Sequence, residues 1–206
     1  LRDKYPEEQV ATPEGYARNP ELVINFYNER RKQLLEVRPN DGHLGLAELE
    51  ADFNVTVVTQ NIDNLHERAG SRRIIHLHGE LTKVCSSRDP YNPHYIKELK
   101  PDEYEVKFGD KAGDGTQLRP FIVWFGEPVP EIETAVNYVE KADIFVIIGT
   151  SMNVYPAAGL LNYVPREAEV YLIDPKPVDV HSMRRIHVIQ KGASEGVREL
   201  RSLLQP

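Results

Sequence analysis

The sequence predicts an α/β fold: a Rossmann-like parallel sheet with helices on both faces, plus a smaller inserted lobe. Short apolar, β-branched runs alternate with segments of helical periodicity, which is typical of parallel strands covered on both faces. Residues 86–118 interrupt this alternation with a long, polar, turn-rich stretch, which indicates an inserted lobe or lid.

The elements follow in chain order. Residues 20–35 predict a helix with Leu22, Phe26 and Leu34 near one face, Asn19 as N-cap and Pro20 at the first position. Further helices are predicted at 43–52, 63–69, 131–141, 157–164 and 194–204. Strands are predicted at 55–59, 74–77, 121–124, 144–148, 170–173 and 187–189. We expect a single domain with a Rossmann-like lobe of about 43–80 and 119–206 and a small lobe of about 3–42 and 81–118.

Composition limits the possible partners. The 206 residues carry 25 Lys and Arg against 32 Asp and Glu, a net charge of −7, which argues against nucleic-acid binding and suits basic, lysine-bearing partners. An apolar run long enough for a membrane span does not occur, so no membrane partner is expected. The single cysteine, Cys85, excludes an internal disulfide and a cysteine-cluster zinc site. A cytoplasmic monomer is expected.

Polar side chains follow two predicted strands directly. Strand 55–59 leads into Gln60, Asn61 and Asp63, and strand 74–77 leads to His78. Ligand chemistry in open α/β sheets lies at the carboxyl ends of strands, so these groups predict an active site. An alternative remains for each: an Asx turn or helix cap for the amide and acid, and a structural role for the histidine.

Three later strand ends carry possible binding groups. Gly149-Thr150-Ser151 can bind phosphate or form an ordinary turn. Asp174 can accept hydrogen bonds from ribose hydroxyls or cap a turn. Trp124-Phe-Gly-Glu127 suits an apolar channel or peptide groove, or else core aromatics followed by a turn.

Taken in order, the segments 59–66, 75–80, 123–127 and 148–151 resemble the sirtuins, the NAD-dependent protein-lysine deacylases. The resemblance covers essentially the whole chain and is greatest to class III-like bacterial sirtuins without zinc cysteines. It implies NAD as cofactor and acyl-lysine proteins or peptides as substrates. It also implies attack of the acyl oxygen on the ribose C1′, giving nicotinamide, O-acyl-ADP-ribose and free lysine.

The resemblance implies a role for each matching residue. His78 would be the general base, for which its near-neutral pKa range is suited, with Asn61 and Asp63 as further catalytic residues. The cofactor would be bound by Gln60, Asn61, Ile62 and Asp63 at its nicotinamide end, and by Gly149, Thr150, Ser151 and Asp174 at its phosphate and adenosine end. The acyl-lysine substrate would contact Val123, Phe125, Gly126, Glu127, Asn153 and Val154.

Tyr27 and Arg30 resemble the Tyr-x-x-Arg pair of the sirtuin subclass that removes acidic acyl groups. Residues at i and i+3 share a helix face, and arginine can bind a distal carboxylate with two hydrogen bonds. The alternative is a solvent-facing arginine beside a core tyrosine. Arg31 points about 100° away around the helix and is the weaker candidate.

The sequence departs from the family pattern in two places: the zinc-binding cysteines and the amino-terminal cofactor loop. Many sirtuins bind zinc through four cysteines, whereas only Cys85 occurs here, at the position of a first ligand, so zinc is not expected. Segment 86–118 is then expected to depend on its own packing, with aromatic anchors at Tyr91, Tyr95, Tyr104 and Phe108.

The family's Gly-Ala-Gly-x-Ser loop and Thr-Phe-Arg segment do not occur in these 206 residues. We therefore expect either an incomplete sequence or a truncated or degenerate protein, and we expect these 206 residues alone to bind NAD poorly. Two other functions stay open: a catalytically silent NAD- or ADP-ribose-binding module, and a sirtuin-type ADP-ribosyltransferase. Tyr27 and Arg30 argue against the transferase.

Overall fold

The computed structural model describes residues 5–149, 157–178 and 184–205. These residues form two compact units. Unit 1 is drawn from Leu1–Arg38, Thr59–Asn64 and His76–Pro130, and unit 2 from Pro39–Val58, Leu65–Ile75 and Glu131–Pro206. Residues 76–80 and 119–130, which the sequence assigned to the Rossmann-like lobe, thus belong with the amino-terminal helices in unit 1. None of the helices within these described ranges is both long and apolar enough to cross a membrane.

The helices, in chain order, are α1 (Glu7–Val10), α2 (Pro13–Arg18), α3 (Pro20–Leu34), α4 (Asp41–Glu48), α5 (Leu65–Ala69), α6 (Ile132–Val139), α7 (Ala157–Leu160) and α8 (Ala193–Leu204). Short 3-10 turns lie at Leu49–Ala51, Pro93–Tyr95, Pro101–Glu103 and Leu161–Tyr163. The strands are β1 (Val57–Thr59), β2 (Ile74–His76), β3 (Gly79–Ser86), β4 (Lys97–Glu98), β5 (Leu118–Ile122), β6 (Ile144–Ile148), β7 (Glu169–Ile173) and β8 (Ile186–Ile189).

Helix α3 begins where the sequence predicts. The Asn19 side chain accepts a hydrogen bond from the Leu22 backbone N–H at 3.2 Å, and Pro20 occupies the first helical position, where its missing N–H has no intrahelical partner to lose. The predicted inner face was partly wrong, however. The buried residues of α3 are Val23, Ile24, Tyr27, Asn28, Arg31 and Leu34.

Two polar side chains of α3 are buried because the fold satisfies them. Asn28 donates to the Val106 carbonyl at 2.7 Å and accepts from the Val106 N–H at 2.9 Å. The Arg31 guanidinium donates to the carbonyl of Tyr104 at 2.7 Å, to that of Leu81 at 3.3 Å and to Asn28 Oδ1 at 2.6 Å. Arg31 therefore has a structural role, consistent with its weaker candidacy for substrate binding.

The sheet of unit 1 is antiparallel, with strand order β4-β3-β5. Strand β3 pairs with β5 through Cys85↔Arg119 and Ser86↔Leu118, and an irregularity separates Gly79 from Val84. The sequence predicted a strand at 121–124 in a parallel sheet; the strand is present at Leu118–Ile122, but the predicted parallel pairing was wrong, because it pairs antiparallel with β3. Consequently the ends of β2, β5 and β6 belong to three different sheets rather than to one shared edge.

Segment 86–118 is packed into unit 1 rather than being a loose lid. Its residues Val106, Ala112 and Leu118 share a buried apolar cluster with Ile24 and Val84. The predicted aromatic anchors were only partly correct. The Tyr91 ring meets the Phe121 ring edge-on, with 6.3 Å between the ring centres. Phe108, by contrast, is 59% exposed and does not act as an anchor.

A buried serine connects the two ends of this segment. Ser86, with no exposed surface, donates a hydrogen bond to Asp114 Oδ2 at 2.5 Å and lies 3.0 Å from the Thr116 hydroxyl. Its oxygen also accepts from the backbone N–H groups of Arg88 and Asp89. We call Ser86, Asp114 and Thr116 the Ser86 cluster.

Unit 2 contains the predicted parallel sheet, with order β6-β7-β8. Strands β6 and β7 pair in parallel from Ile144↔Glu169 to Ile148↔Ile173. Helix α8 covers strand β7 closely, because a Cβ at Gly196 would overlap the Ile173 side chain. The core of unit 2 combines Leu49, Ile173, Ile189, Val197 and Leu200.

Candidate active site in unit 1

The polar groups that follow β1 and β2 meet within unit 1. His78 Nε2 lies 3.4 Å from Gln60 Oε1, a long hydrogen bond in which the ring donates, since an amide oxygen only accepts. The imidazole is half-buried, and this desolvation lowers the pKa of His78 below its usual value of 6.5. At neutral pH the ring is therefore mostly uncharged and retains a lone pair that can accept a proton.

The loop that carries Gln60 is held by its neighbours. The Asn61 N–H donates to Thr59 Oγ1 at 3.0 Å, and the Asn61 carbonyl accepts from His76 Nδ1 at 3.0 Å. The Ile62 carbonyl accepts from the Leu81 N–H at 2.8 Å. The Asn61 side chain is exposed and that of Asp63 is half-buried, so both can meet a ligand.

His78 also adjoins the segment that follows β5. The Val123 N–H donates to the His78 carbonyl at 2.9 Å, so the two backbones run side by side. Gly79, the next residue, has φ +88, and a Cβ there would overlap the Phe121 carbonyl oxygen. Only glycine allows this close approach of β5 to the histidine.

The segment Trp124–Glu127 combines a buried and an exposed part. Trp124 is 2% exposed and belongs to the core, as the alternative interpretation held. Phe125, by contrast, is 62% exposed, and Gly126 has φ +89 with open space where a Cβ would lie. The two central residues therefore present an aromatic ring and an accessible backbone to solvent.

The Glu127 carboxylate points away from solvent. It accepts hydrogen bonds from Arg119 at 2.9 Å and 3.0 Å, from the Tyr91 hydroxyl at 2.9 Å and from the Trp124 N–H at 2.8 Å. Burial alone would raise the pKa of Glu127, but the hydrogen bonds and charge of Arg119 outweigh burial, and the net pKa is lowered. The side chain thus fixes the turn, and because the Glu127 N–H donates to the Trp124 carbonyl at 3.0 Å, its backbone carbonyl is the group left for a substrate.

Tyr27 and Arg30 differ sharply in their surroundings. The Tyr27 hydroxyl is buried, donates to the Val10 carbonyl at 2.8 Å and accepts from Trp124 Nε1 at 3.1 Å. Arg30 is half-buried, with its guanidinium 5.8 Å from the centre of the Phe26 ring. Among the described residues, Arg30 makes no ion pair or hydrogen bond, so its charge is available to a ligand.

Other predicted residues lie in unit 2 or outside the description. Gly149 follows β6 with φ +60, and its N–H donates to the Ile173 carbonyl at 3.0 Å, so this N–H is engaged within the sheet of unit 2. Asp174 follows β7 and accepts from the Lys176 N–H at 2.8 Å, the turn-cap geometry of the alternative interpretation. Four predicted site residues lie outside the described ranges: Thr150, Ser151, Asn153 and Val154.

Sequence reasoning missed one supporting residue, Arg119. Its position beside an apolar strand was the available signal, because a charged residue that is only 4% exposed needs a buried partner.

A zinc site of four thiolates does not fit this chain. The sequence offers only Cys85, which is fully buried. Burial is the main reason that the pKa of this thiol is raised to about 12, so it remains protonated at neutral pH. The Ser86 cluster connects the segment beside it through side-chain hydrogen bonds.

Known proteins resemble this chain over most or all of its length. The profile described as "Sir2 family" matches residues 1–156. The NAD-dependent protein deacylase of Bacteroides thetaiotaomicron is 84% identical over 206 residues, which cover 100% of this chain and 88% of that protein. A solved Sir2 homologue–NAD complex has a TM-score of 0.80 and 34% identity, covering 100% of this chain and 81% of its own. A Sir2–p53 peptide–NAD+ complex has a TM-score of 0.76 and 25% identity, covering 98% of this chain and 85% of its own. The predicted Rossmann-like α/β class is confirmed.

Proposed function

Because this chain belongs to the Sir2 family, we infer that it is an NAD-dependent protein deacylase, and we propose that His78 is its general base. The observation that carries the proposal is the pairing of His78 with Gln60 at 3.4 Å; Asn61, the next residue in the chain, has an exposed side chain. These groups follow separate strands and meet next to the Val123 backbone.

The chemistry required of His78 is the removal of a proton from a ribose hydroxyl. A half-buried, mostly neutral imidazole is suited to this step, since its lone pair is free at physiological pH. The amides of Gln60 and Asn61 can orient the sugar through hydrogen bonds. Ile62 and Asp63 would line the nicotinamide end of the cofactor site. Asn61 and Asp63 would assist catalysis.

NAD, when bound, supplies an activated ribose carbon and a nicotinamide leaving group. Gly149 would lie at the phosphate part through the positive φ that turns the chain after β6, since its own N–H is donated to the Ile173 carbonyl. The Asp174 carboxylate can accept hydrogen bonds from hydroxyls of the adenosine ribose. Thr150 and Ser151 complete the proposed cofactor set.

Acylated proteins are the substrates we propose. The exposed Phe125 ring offers an apolar wall for the acyl-lysine chain, and the Gly126 backbone is open to hydrogen bonding with a peptide. Val123 and the Glu127 backbone would line the same path, with Asn153 and Val154 beside the peptide. The bound p53 peptide in the Sir2 relative supports this assignment.

We further propose that acidic acyl groups, succinyl and malonyl, are preferred over acetyl. The support is Arg30, whose guanidinium has no carboxylate or carbonyl partner among the described residues and lies one helical turn from Tyr27.

One assay tests the deacylase function. Full-length protein is incubated with NAD and matched acetyl-, succinyl- and malonyl-lysine peptides, and nicotinamide and deacylated peptide are measured. We expect both products in equal amounts, and their loss in His78→Asn. The exposed His94→Asn is the matched control and should keep wild-type turnover.

The other functions give different outcomes. NAD binding without any product would indicate a silent module, and nicotinamide release with ADP-ribose attached to protein would indicate a transferase. For the acyl preference, Arg30→Met should raise the KM for succinyl peptide, whereas the exposed Arg18→Met should not. A succinyl preference that survives Arg30→Met would overturn the role of Arg30.

A further inference from the structure

Within unit 1, two histidines at the end of one strand contact neighbouring residues of a single loop. His76 is the last residue of β2, and its Nδ1 lies 3.0 Å from the Asn61 carbonyl oxygen. His78 follows two positions later and contacts the side chain of Gln60, the residue before Asn61. Whatever fixes Asn61 therefore also helps to fix the amide that pairs with the proposed base.

Both backbone polar groups of Asn61 are bound by side chains. Its N–H donates to Thr59 Oγ1 at 3.0 Å, and its carbonyl accepts from His76, while its own side chain is exposed. The next carbonyl, that of Ile62, accepts from the Leu81 backbone N–H at 2.8 Å. Two of these three hydrogen bonds depend on the identity of a side chain, so a substitution can remove them individually.

The contact with Asn61 decides which nitrogen of His76 carries a proton. A carbonyl oxygen can only accept, so Nδ1 must be the donor of this hydrogen bond. The other ring nitrogen, Nε2, lies 3.8 Å from Glu80 Oε1, and Lys83 Nζ pairs with Oε2 of the same carboxylate at 2.8 Å. His76 is only 8% exposed, so close packing keeps its ring directed at Asn61.

We propose that His76 is a positioning residue for catalysis, because its Nδ1–H holds the Asn61 carbonyl and thereby places the Gln60 and Asn61 amides for the ribose of NAD. The inference rests on the proposed function, in which these amides orient the sugar. His76 acts through the loop, since its ring is buried and its Nδ1–H is engaged within the protein. A misplacement of about 1 Å can cost about 100-fold in rate, so one hydrogen bond that fixes the loop matters.

Two amide variants of the full-length protein separate the two ring nitrogens. His76→Asn keeps an N–H donor near the position of Nδ1, whereas His76→Gln moves the donor toward the position of Nε2, beside Glu80. We expect His76→Gln to lower kcat by about 10-fold and to leave the KM for acyl peptide unchanged, because the proposed peptide contacts follow β5. His76→Asn should restore most of the wild-type kcat. Equal losses in the two variants, or no loss in either, would overturn the inference.

Nitrogen NMR of isotope-labelled wild-type protein checks the hydrogen bond without any substitution. We expect a proton on Nδ1 of His76 in the folded protein, and an Nδ1 without a proton would overturn the inference even where a variant fails to fold. A wild-type protein that releases no nicotinamide with any acyl peptide would instead overturn the proposed function, and the catalytic role of His76 with it. A protonated Nδ1 would in that case still confirm the hydrogen bond to Asn61, so the two failures are distinguishable.

Discussion

The Arg119 guanidinium and the Glu127 carboxylate form a two-pronged ion pair, at 2.9 Å and 3.0 Å, with side chains only 4% and 12% exposed. The pair joins strand β5 to the turn after it, and thus fixes the exposed Phe125–Gly126 segment between them. Because both side chains are largely buried, each charge is stabilised mainly by the other.

Removal of one partner should be costly. We expect Arg119→Met to lower the free energy of unfolding by about 3 kcal/mol, since it leaves a partly buried carboxylate without its partner. Urea unfolding measures this. The exposed Arg166→Met should change stability by less than about 0.5 kcal/mol, and a similarly small change for Arg119→Met would contradict the structure.

The pH dependence of kcat/KM should follow His78. Burial lowers the pKa of this imidazole, and the base must be neutral to act, so activity should fall only as the pH drops below 6.5. The rate profile from pH 5 to 8 with an acyl peptide checks this. An acidic limb centred above pH 7 would show a different base or a charged environment.

The Ser86 cluster should stabilise the protein in a pH-dependent manner. Hydrogen bonds from Ser86 and then Thr116 lower the pKa of Asp114 from 3.8 to about 2. A carboxylate whose folded pKa is depressed contributes stability above its unfolded pKa and loses it as the pH falls toward the folded value. Asp114→Asn should therefore be less stable than wild type at pH 7, and the difference should shrink below pH 3.8. Thermal unfolding across this range measures it; a constant difference would argue against the cluster.

Glycine should be required at position 79 for steric reasons. Gly79→Ala puts a Cβ against the Phe121 carbonyl at φ +88, and we expect a loss of at least about 2 kcal/mol in unfolding free energy. Gly109 offers a matched control, since it has φ +108 but open space around it. Gly109→Ala should show only the effect of backbone strain, and should lower the unfolding free energy by less than Gly79→Ala. Equal losses for the two variants would mean that the contact with Phe121 is unimportant.

The Cys85 thiol should resist modification in the native state. It is fully buried with a pKa raised to about 12, so thiolate is scarce and reagents have no access. We expect slow alkylation by iodoacetamide in buffer and rapid alkylation in urea, together with an unfolding temperature that EDTA leaves unchanged. Fast native alkylation or a chelator-induced loss of stability would contradict this description.

Local patterns in the sequence determined much of this protein. The cap at Asn19, the parallel strands at 144–148 and 170–173, and the polar residues after strands all depend on neighbours a few positions apart. For this reason the fold class and the residues around His78 could be predicted, and the motif resemblance supplied the family.

Only the tertiary structure decided which distant residues satisfy each other. Asn28 and Val106 are 78 positions apart, and the antiparallel pairing of β3 with β5 joins Cys85 to Arg119. Periodicity counts polar residues as outward-facing, and so it misjudged the inner face of α3. A buried polar group is stable only when the fold brings it a partner, and no local pattern specifies that partner.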